Sequence, residues 1–235
     1  MKTVLNRPIQ EEILSHKNSE QAEFLSRFFK TGKGEYAEGD TFLGIRVPTS
    51  RKISKKYKDI ELSELSSLLH SVYHEMRLIA LIILADQFKK GDDTKQKKIF
   101  ELYCKNTKFI NNWDLVDESA PKIPGCYLLD KDRSILYSWV KSKSLWERRI
   151  AIMSTFAFIR KGDYTDTLRI AEILVNDSED LIHKATGWML REIYKRDSRA
   201  ASLFLGSYAS IMPRTMLRYA IEHHPEKERK KILKQ

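Results

Sequence analysis

The chain has 235 residues, 42% of them hydrophobic and 31% charged, a balance that excludes a disordered polypeptide and leaves room for a sizeable core. Its net charge of +10 at pH 7 favours a polyanionic partner: DNA, RNA or an anionic membrane surface. No apolar run approaches the ~18 residues of a membrane span, the longest being Leu78 to Ala85, and Met1-Lys2-Thr3-Val4-Leu5-Asn6 carries no apolar signal core, so the chain reads as cytoplasmic.

Glycine (9) and proline (6) are scarce and alternating strands are hard to find, which points to an all-α fold. Residues 8–30 read as one or two helices, with Ser19 as N-cap and Ala22, Phe24, Leu25, Phe28 and Phe29 as an apolar stripe. Gly32, Gly34 and Gly39 then break the pattern, and a loop runs from Tyr36 to Pro48, with Thr49 or Ser50 starting a helix through Tyr57. Ser63 caps a helix ending near His70, and a long apolar helix spans about 73–89. After the Gly91-Asp92-Asp93 turn come a helix over 94–104 and the Trp113–Asp117 segment, interrupted by Pro121 and Pro124-Gly125. The remaining predicted helices are 131–142, 145–160, 163–175, 179–195, 197–207, 213–222 and 225–234, with Asp163 and Ser178 as caps. No low-complexity segment or long linker divides the chain, which reads as one domain over 1–235.

A repeat runs through this pattern. Arg77 precedes Trp113 by 36 residues and Arg149 follows it by 36, so three helical segments offer a cation, an aromatic and a cation at matching positions. The segments beginning Glu75-Met76-Arg77, Glu147-Arg148-Arg149 and Ile182-His183-Lys184 also resemble one another, each continuing into small and branched apolar residues. A period near 36 with two helices per period predicts a HEAT-like α-solenoid whose matching positions line one surface. A basic, aromatic surface containing a carboxylate suits a nucleic acid better than a small neutral metabolite.

Cys104 and Cys126 form neither a Cys-x-x-Cys pair nor a disulfide framework and are read as free thiols. His70 and His74 stand at i, i+4, but the sequence offers no third and fourth ligand, so neither a metal nor a cofactor is expected. His223-His224 is read as solvated, as are the basic runs 51–56 and 228–231.

Four motifs in order carry a family resemblance. They are Tyr36-Ala37-Glu38-Gly39-Asp40-Thr41-Phe42-Leu43-Gly44-Ile45-Arg46-Val47-Pro48, Asn112-Trp113-Asp114-Leu115-Val116-Asp117, Trp146-Glu147-Arg148-Arg149-Ile150-Ala151, and Lys184-Ala185-Thr186-Gly187-Trp188-Met189-Leu190-Arg191-Glu192. Together they resemble the AlkD family of bacterial DNA alkylation repair enzymes over about residues 20–195. The resemblance implies a HEAT-like-repeat glycosylase that removes cationic alkylpurines, 3-methyladenine and 7-methylguanine adducts, from double-stranded DNA. It implies a concave basic cleft and excision without flipping the base into a pocket. By the same similarity Trp113, Asp117 and Trp188 fall on the family's active-site residues and Arg149 on its cleft arginine.

The residue types suit that chemistry. A cationic base has a weakened glycosidic bond, because departure neutralises it, so no general acid is needed. The remaining requirement is an anion against an oxocarbenium-like sugar and a positioned water, the role assigned to Asp117. The indole faces of Trp113 and Trp188 favour positive charge on the sugar. Arg149 is expected to hold a phosphate, and Arg77, Lys184 and Arg191 to bind backbone without reading sequence. Against this stand plainer readings. The plainer reading of Asp117 is one half of a structural ion pair with Arg149 or another cation. Trp139 and Trp146 are read as core, Asp114 as a local cap or pair, and one of Arg148 and Arg149 as structural. The competing functional class is a HEAT-like nucleic-acid-binding or scaffold module without catalysis; a carboxylate that repels phosphate, set between two tryptophans, favours the enzyme. The enzyme is read as monofunctional and monomeric, since nothing marks Lys184 as a desolvated amine nucleophile.

Overall fold

The computed structural model describes residues 7–234, and the leader reading of Met1–Asn6 lies outside them. All regular structure among the described residues is helical, apart from an isolated bridge between Thr41 and Tyr73. The fold is therefore all-α, as the composition predicted. Two compact units divide it, Met1–Ser119 and Ala120–Gln235. No helix among the described residues is long and apolar enough to cross a membrane.

The first unit comprises α1 (Arg7–Ser15), α2 (Ser19–Phe28), α3 (Val47–Lys56), α4 (Leu62–Leu69), α5 (His74–Lys90), α6 (Asp93–Lys105), a short 3₁₀ turn at Thr107–Phe109 and α7 (Trp113–Ser119). Helix α5 is apolar nearly all round, from Met76 through Leu78, Ile79, Leu81, Ile83 and Leu84 to Phe88, and such a helix belongs at the centre of a core. It packs against α3, α4, α6 and α7. Leu65, Leu68 and Leu69 from α4 and Ile53 from α3 complete that core. The basic residues of α3, Arg51, Lys52, Lys55 and Lys56, stay on the solvent side.

The helix starts differ from the sequence expectations where a neighbouring residue caps better. Asn18, not Ser19, caps α2, accepting the Gln21 amide at 2.8 Å. Helix α3 begins at Val47 because Pro48, with its fixed φ and no amide, fits the first turn. Helix α4 starts after Glu61 without a side-chain cap, so Ser63 lies inside it. Of the apolar stripe only Phe29, just past the end of α2, is buried: α2 itself has no buried residue, and Phe24 and Phe28 are 56% and 55% exposed, stacked on each other.

The second unit comprises α8 (Pro124–Tyr127), α9 (Ser134–Trp139), α10 (Leu145–Ser154), α11 (Phe156–Ile159), α12 (Thr165–Leu174), α13 (Asp180–Tyr194), α14 (Ser198–Tyr208), α15 (Arg214–Ala220) and α16 (Glu226–Ile232). The helix expected over 145–160 is two. Ser154 and Thr155 turn their hydroxyls back onto the carbonyls of Ile150 and Ile152, at 2.6 and 2.7 Å, and such bonds compete with helix continuation. Helix α13 follows Glu179 rather than a Ser178 cap. Asp163 accepts the Thr165 amide at the start of α12. Trp139 is core, as expected. His224, expected in solvent, is instead buried and stacked on Tyr194 at 3.7 Å between ring centroids, and burial pushes its pKa down.

Helix α13 is the centre of the second unit, buried through Ala185, Met189, Leu190 and Ile193 and packed on α10, α12, α14 and α15. Its approach to α15 depends on Gly187. A Cβ there would stand 2.4 Å from the Met216 carbonyl oxygen and 2.5 Å from Tyr219 Cβ, and neither backbone nor a Cβ can yield cheaply. Gly187→Val should therefore destabilise the protein by about 1–3 kcal/mol, read as a lower urea midpoint; an unchanged midpoint would show that the two helices can part without cost.

Candidate nucleotide-contacting site

The loop of residues 36–46 is fixed by the first turn of α5. Glu75, buried at 2% exposure, accepts the amides of Leu43, Gly44 and Ile45 at 2.8–3.0 Å. His74 donates its own amide to the Thr41 carbonyl at 2.9 Å. Gly44 has φ +84°, and a Cβ on it would lie 2.0 Å from the Asn18 carbonyl oxygen, so only glycine fits.

Asp40 is the hub of this loop. Its buried carboxylate accepts Arg77 Nη2 at 2.6 Å, Asn111 Nδ2 at 3.1 Å, Asn112 Nδ2 at 3.3 Å and His74 Nδ1 at 3.3 Å. The other ring nitrogen of His74, Nε2, donates to Asp114 Oδ2 at 2.8 Å. Asn112 Oδ1 accepts the Trp113 amide at 2.8 Å, and Asp114 Oδ1 accepts the Leu115 amide at 2.9 Å. The polar chain thus runs from α5 through Asp40 to the first turn of α7.

Burial pulls the His74 imidazole towards neutrality, but the Asp114 charge and its hydrogen bond, with the Asp40 hydrogen bond, outweigh it and raise the pKa from 6.5 to about 9. Burial likewise opposes ionisation of Asp40, yet hydrogen bonding to His74 and the Arg77 charge hold its carboxyl below the ordinary range. Two cations therefore face two anions. The imidazole is also stacked on Phe42 at 4.5 Å, Phe42 on Phe29 at 5.0 Å, and Phe29 on the Trp113 indole at 5.3 Å, with 19° between the last two planes. Phe28 meets Trp113 edge-on at 6.2 Å. Asp117 follows Trp113 by one turn on the same face of α7, and both side chains are partly exposed.

Beside this column lies a cavity of about 590 Å³, lined chiefly by Phe24, Phe29, Phe42, Leu78, His74 and Asp114. Asp114 and Glu75, and not Asp117, are the carboxylates that border it.

In the second unit Trp188 and Lys184 share a face of α13. Trp188 is partly exposed and lies 6.1 Å from the Phe156 ring, over which Arg160 sits at 4.1 Å and Arg196 at 5.9 Å. Lys184 pairs with Asp180 at 2.7 Å, and Arg191 pairs with Glu222. Arg149 is only 4% exposed and donates to the Leu181 carbonyl at 2.5 Å. Arg148 clasps Asp177 through Nε and Nη2. Arg77 is as buried as Arg149 and sits on Asp40.

Of the residues singled out from sequence, Trp113 and Asp117 therefore come together on α7, while Lys184, Trp188 and Arg191 come together on α13. The sequence reading missed Asp40 and His74, although the Gly39-Asp40 step and the i, i+4 histidines had drawn notice, because nothing local reveals that a loop acid and a helix histidine meet. It also missed Phe156, Arg160 and Arg196. Asp114 bonds locally, as expected, to the Leu115 amide, and also pairs with His74 across 40 residues, which was not expected. Among the described residues no group of three or more His, Cys, Asp or Glu side chains is arranged to hold a metal, and both cysteines are free.

The His74 charge has a consequence for stability. Its pKa is raised by folding, so its contribution is complete below pH 6.5 and is lost as pH rises through about 9. That rise corresponds to roughly 3 kcal/mol. The wild type should accordingly lose stability, relative to a His74→Gln variant, between pH 6 and pH 9.5 in urea unfolding, whereas parallel pH profiles would contradict a buried imidazolium.

The model of the family described as DNA alkylation repair enzyme matches residues 9–224. A solved structure from Enterococcus faecalis, described as a predicted DNA alkylation repair enzyme, is similar in fold at a TM-score of 0.70 and 16% identity, covering 90% of this chain and 98% of that one. The sequence matches none of the curated proteins.

Proposed function

The chain belongs to the DNA alkylation repair enzyme family, and from that premise we propose that it is a monofunctional DNA glycosylase releasing cationic alkylated purines, such as 3-methyladenine and 7-methylguanine adducts, from duplex DNA. The observation that carries this reading is the pairing on α7 of a partly open carboxylate, Asp117, with an indole, Trp113, whose plane is held by the Phe29 stack.

The chemistry follows from charge. A cationic base leaves as a neutral molecule, so the bond from C1′ to the base nitrogen breaks with its electron pair going to the base. Positive charge then develops on the sugar. Asp117 supplies the anion that stabilises it and orients the water that adds to C1′. The Trp113 indole offers its electron-rich face to the same sugar. No proton need be delivered to the base, so base extrusion into an acidic pocket is unnecessary.

In the second unit Trp188 is assigned an aromatic face for DNA, with Lys184 and Arg191 binding phosphate. Arg160 and Arg196, gathered over Phe156, support this assignment by adding cations beside Trp188. The buried guanidinium groups of Arg77 and Arg149 are bonded within the protein, so their proposed contribution to DNA binding is to fix the elements that carry Trp113 and Trp188 and to add long-range positive potential. The net charge of +10 favours duplex DNA of any sequence.

The test is incubation with duplex DNA carrying 7-methylguanine. The wild type should release the base, and Asp117→Asn should retain DNA affinity while losing on the order of 100- to 1000-fold in single-turnover rate. Uracil, which leaves as an anion without a general acid, should stay attached. Release at the wild-type rate by Asp117→Asn would remove Asp117 from the mechanism, and DNA binding without any release by the wild type would favour a non-catalytic binding module.

DNA binding itself should weaken with salt, each phosphate contact contributing about −0.9 to the slope of log K against log salt concentration. Arg160→Glu should lower affinity for undamaged duplexes of different sequence alike; affinity indifferent to salt would contradict the electrostatic reading.

A further inference from the structure

We propose that Asp40 and His74 are positioning residues for the nucleotide-contacting face of α7, holding Trp113 through a polar chain and an aromatic column that both start at His74. The proposal rests on the reading of Trp113 and Asp117 as the pair that meets the nucleotide.

Two independent connections lead from the same imidazole to Trp113, one to its backbone amide and one to its indole. The polar one goes from His74 Nδ1 to Asp40, from Asp40 to Asn112 Nδ2, and from Asn112 Oδ1 to the Trp113 amide; a second arm goes from His74 Nε2 to Asp114, the next residue of α7. The aromatic one goes from His74 to Phe42, Phe29 and Trp113, ring on ring. A half-buried tryptophan at the first position of a seven-residue helix has little of its own helix to hold it, and the helix alone would let its backbone amide fray. Here that amide has a partner, and the partner is itself bonded to a buried carboxylate.

Charge makes the arrangement all-or-none. Asp40 on the loop and Asp114 on α7 face His74, and Arg77 on its own helix α5 stands on the far side of Asp40. Phe29 and Phe42, which cover the ring, carry no charge, and the adjacent Glu75 is taken up by the loop amides. Removing the Asp40 charge leaves His74 and Arg77 as buried cations against Asp114 alone. Removing the His74 charge leaves Asp114 and Asp40 against Arg77. Either change weakens the link from α5 to α7 and frees the indole.

The experiment compares the wild type with Asp40→Asn and His74→Gln by acrylamide quenching of tryptophan fluorescence, the Trp113 component being isolated by repeating each measurement with Trp113→Phe added. Circular dichroism checks the fold, and single-turnover release of 7-methylguanine and affinity for undamaged duplex are measured on the same preparations. The expected result for Asp40→Asn is a red-shifted, more quenchable Trp113 component, DNA affinity close to wild type, and base release reduced about 10- to 100-fold, the scale on which misplacement of a reacting group acts. In the wild type the Trp113 component should become more quenchable between pH 7 and 9.5; in His74→Gln, whose amide still donates to Asp114 but carries no charge, it should be loosened at all pH values and flat across that range. Should Asp40→Asn fail to fold, the His74→Gln profile decides. A Trp113 component unchanged in Asp40→Asn, or flat with pH in the wild type, overturns the proposal. If the wild type releases no base, the glycosylase reading fails, while the fluorescence still decides whether Asp40 and His74 hold Trp113.

Discussion

The first unit depends on one buried exchange of charge, Arg77 and His74 against Asp40 and Asp114. Taking His74, Arg77 and the Asp40 carboxylate out of water, with Asp114 largely covered, is costly, and such a set persists only if each charge finds an opposite one with good geometry. Here the hydrogen-bond lengths run from 2.6 to 3.3 Å, and two asparagines share the acceptor capacity of Asp40. A cluster of this kind contributes little net stability compared with an apolar core of the same volume. What it contributes is uniqueness: α5, the 36–46 loop and α7 have one arrangement in which all four charges are matched. The neighbouring Glu75, which takes three loop amides, extends the same logic to backbone groups that no strand or helix satisfies.

Much of the fold was legible because it follows from patterns carried by single segments. The continuous apolar run of α5 announces a central helix, and the Gly91-Asp92-Asp93 turn announces its end, with Asp92 capping α6. The limits of legibility are equally specific. Several N-caps moved by one or two residues because Asn18 and Pro48 compete with neighbouring serines and threonines, and capping differences of about 1 kcal/mol are easily overridden. The break between α10 and α11 follows from hydroxyls bonding backwards, a choice a sequence pattern does not display. The exposure of Phe24 and Phe28 contradicts the amphipathic reading of α2 for a different reason: that reading assumes every apolar stripe faces the core, whereas these rings lie outside it, Phe28 edge-on to Trp113 and Phe24 stacked on Phe28.

The candidate site shows the same division. Trp113 and Asp117 are one turn apart in any helix, so their pairing was visible at once. Asp40 is 34 residues from His74 and His74 is 40 from Asp114, and no local rule connects them. Arg77, Lys184 and Arg191 were singled out as DNA contacts for their charge and Arg149 by the family resemblance, and neither says which way a side chain turns. Arg77 and Arg149 turn inwards, each to an acceptor inside its own unit, while Lys184 remains on a partly open helix face. Arginine tolerates both fates, because its planar fork can satisfy several buried acceptors without giving up its proton.

Helix α2 has no buried residue of its own and is held through its flanks: at its start the Asn18 amide bonds the Leu43 carbonyl and Gly44 lies against its first turn, and at its end the C-cap Phe29 is buried between Phe42 and Trp113. An element with little apolar area of its own to lose opens at less than the free energy of global unfolding. Its amides should exchange with solvent ahead of those of α5, and a protease should find this stretch before the core yields. Opening of the helix that bears the two exposed phenyl rings would thus draw Phe29 with it and uncover the His74 imidazole and its buried charges.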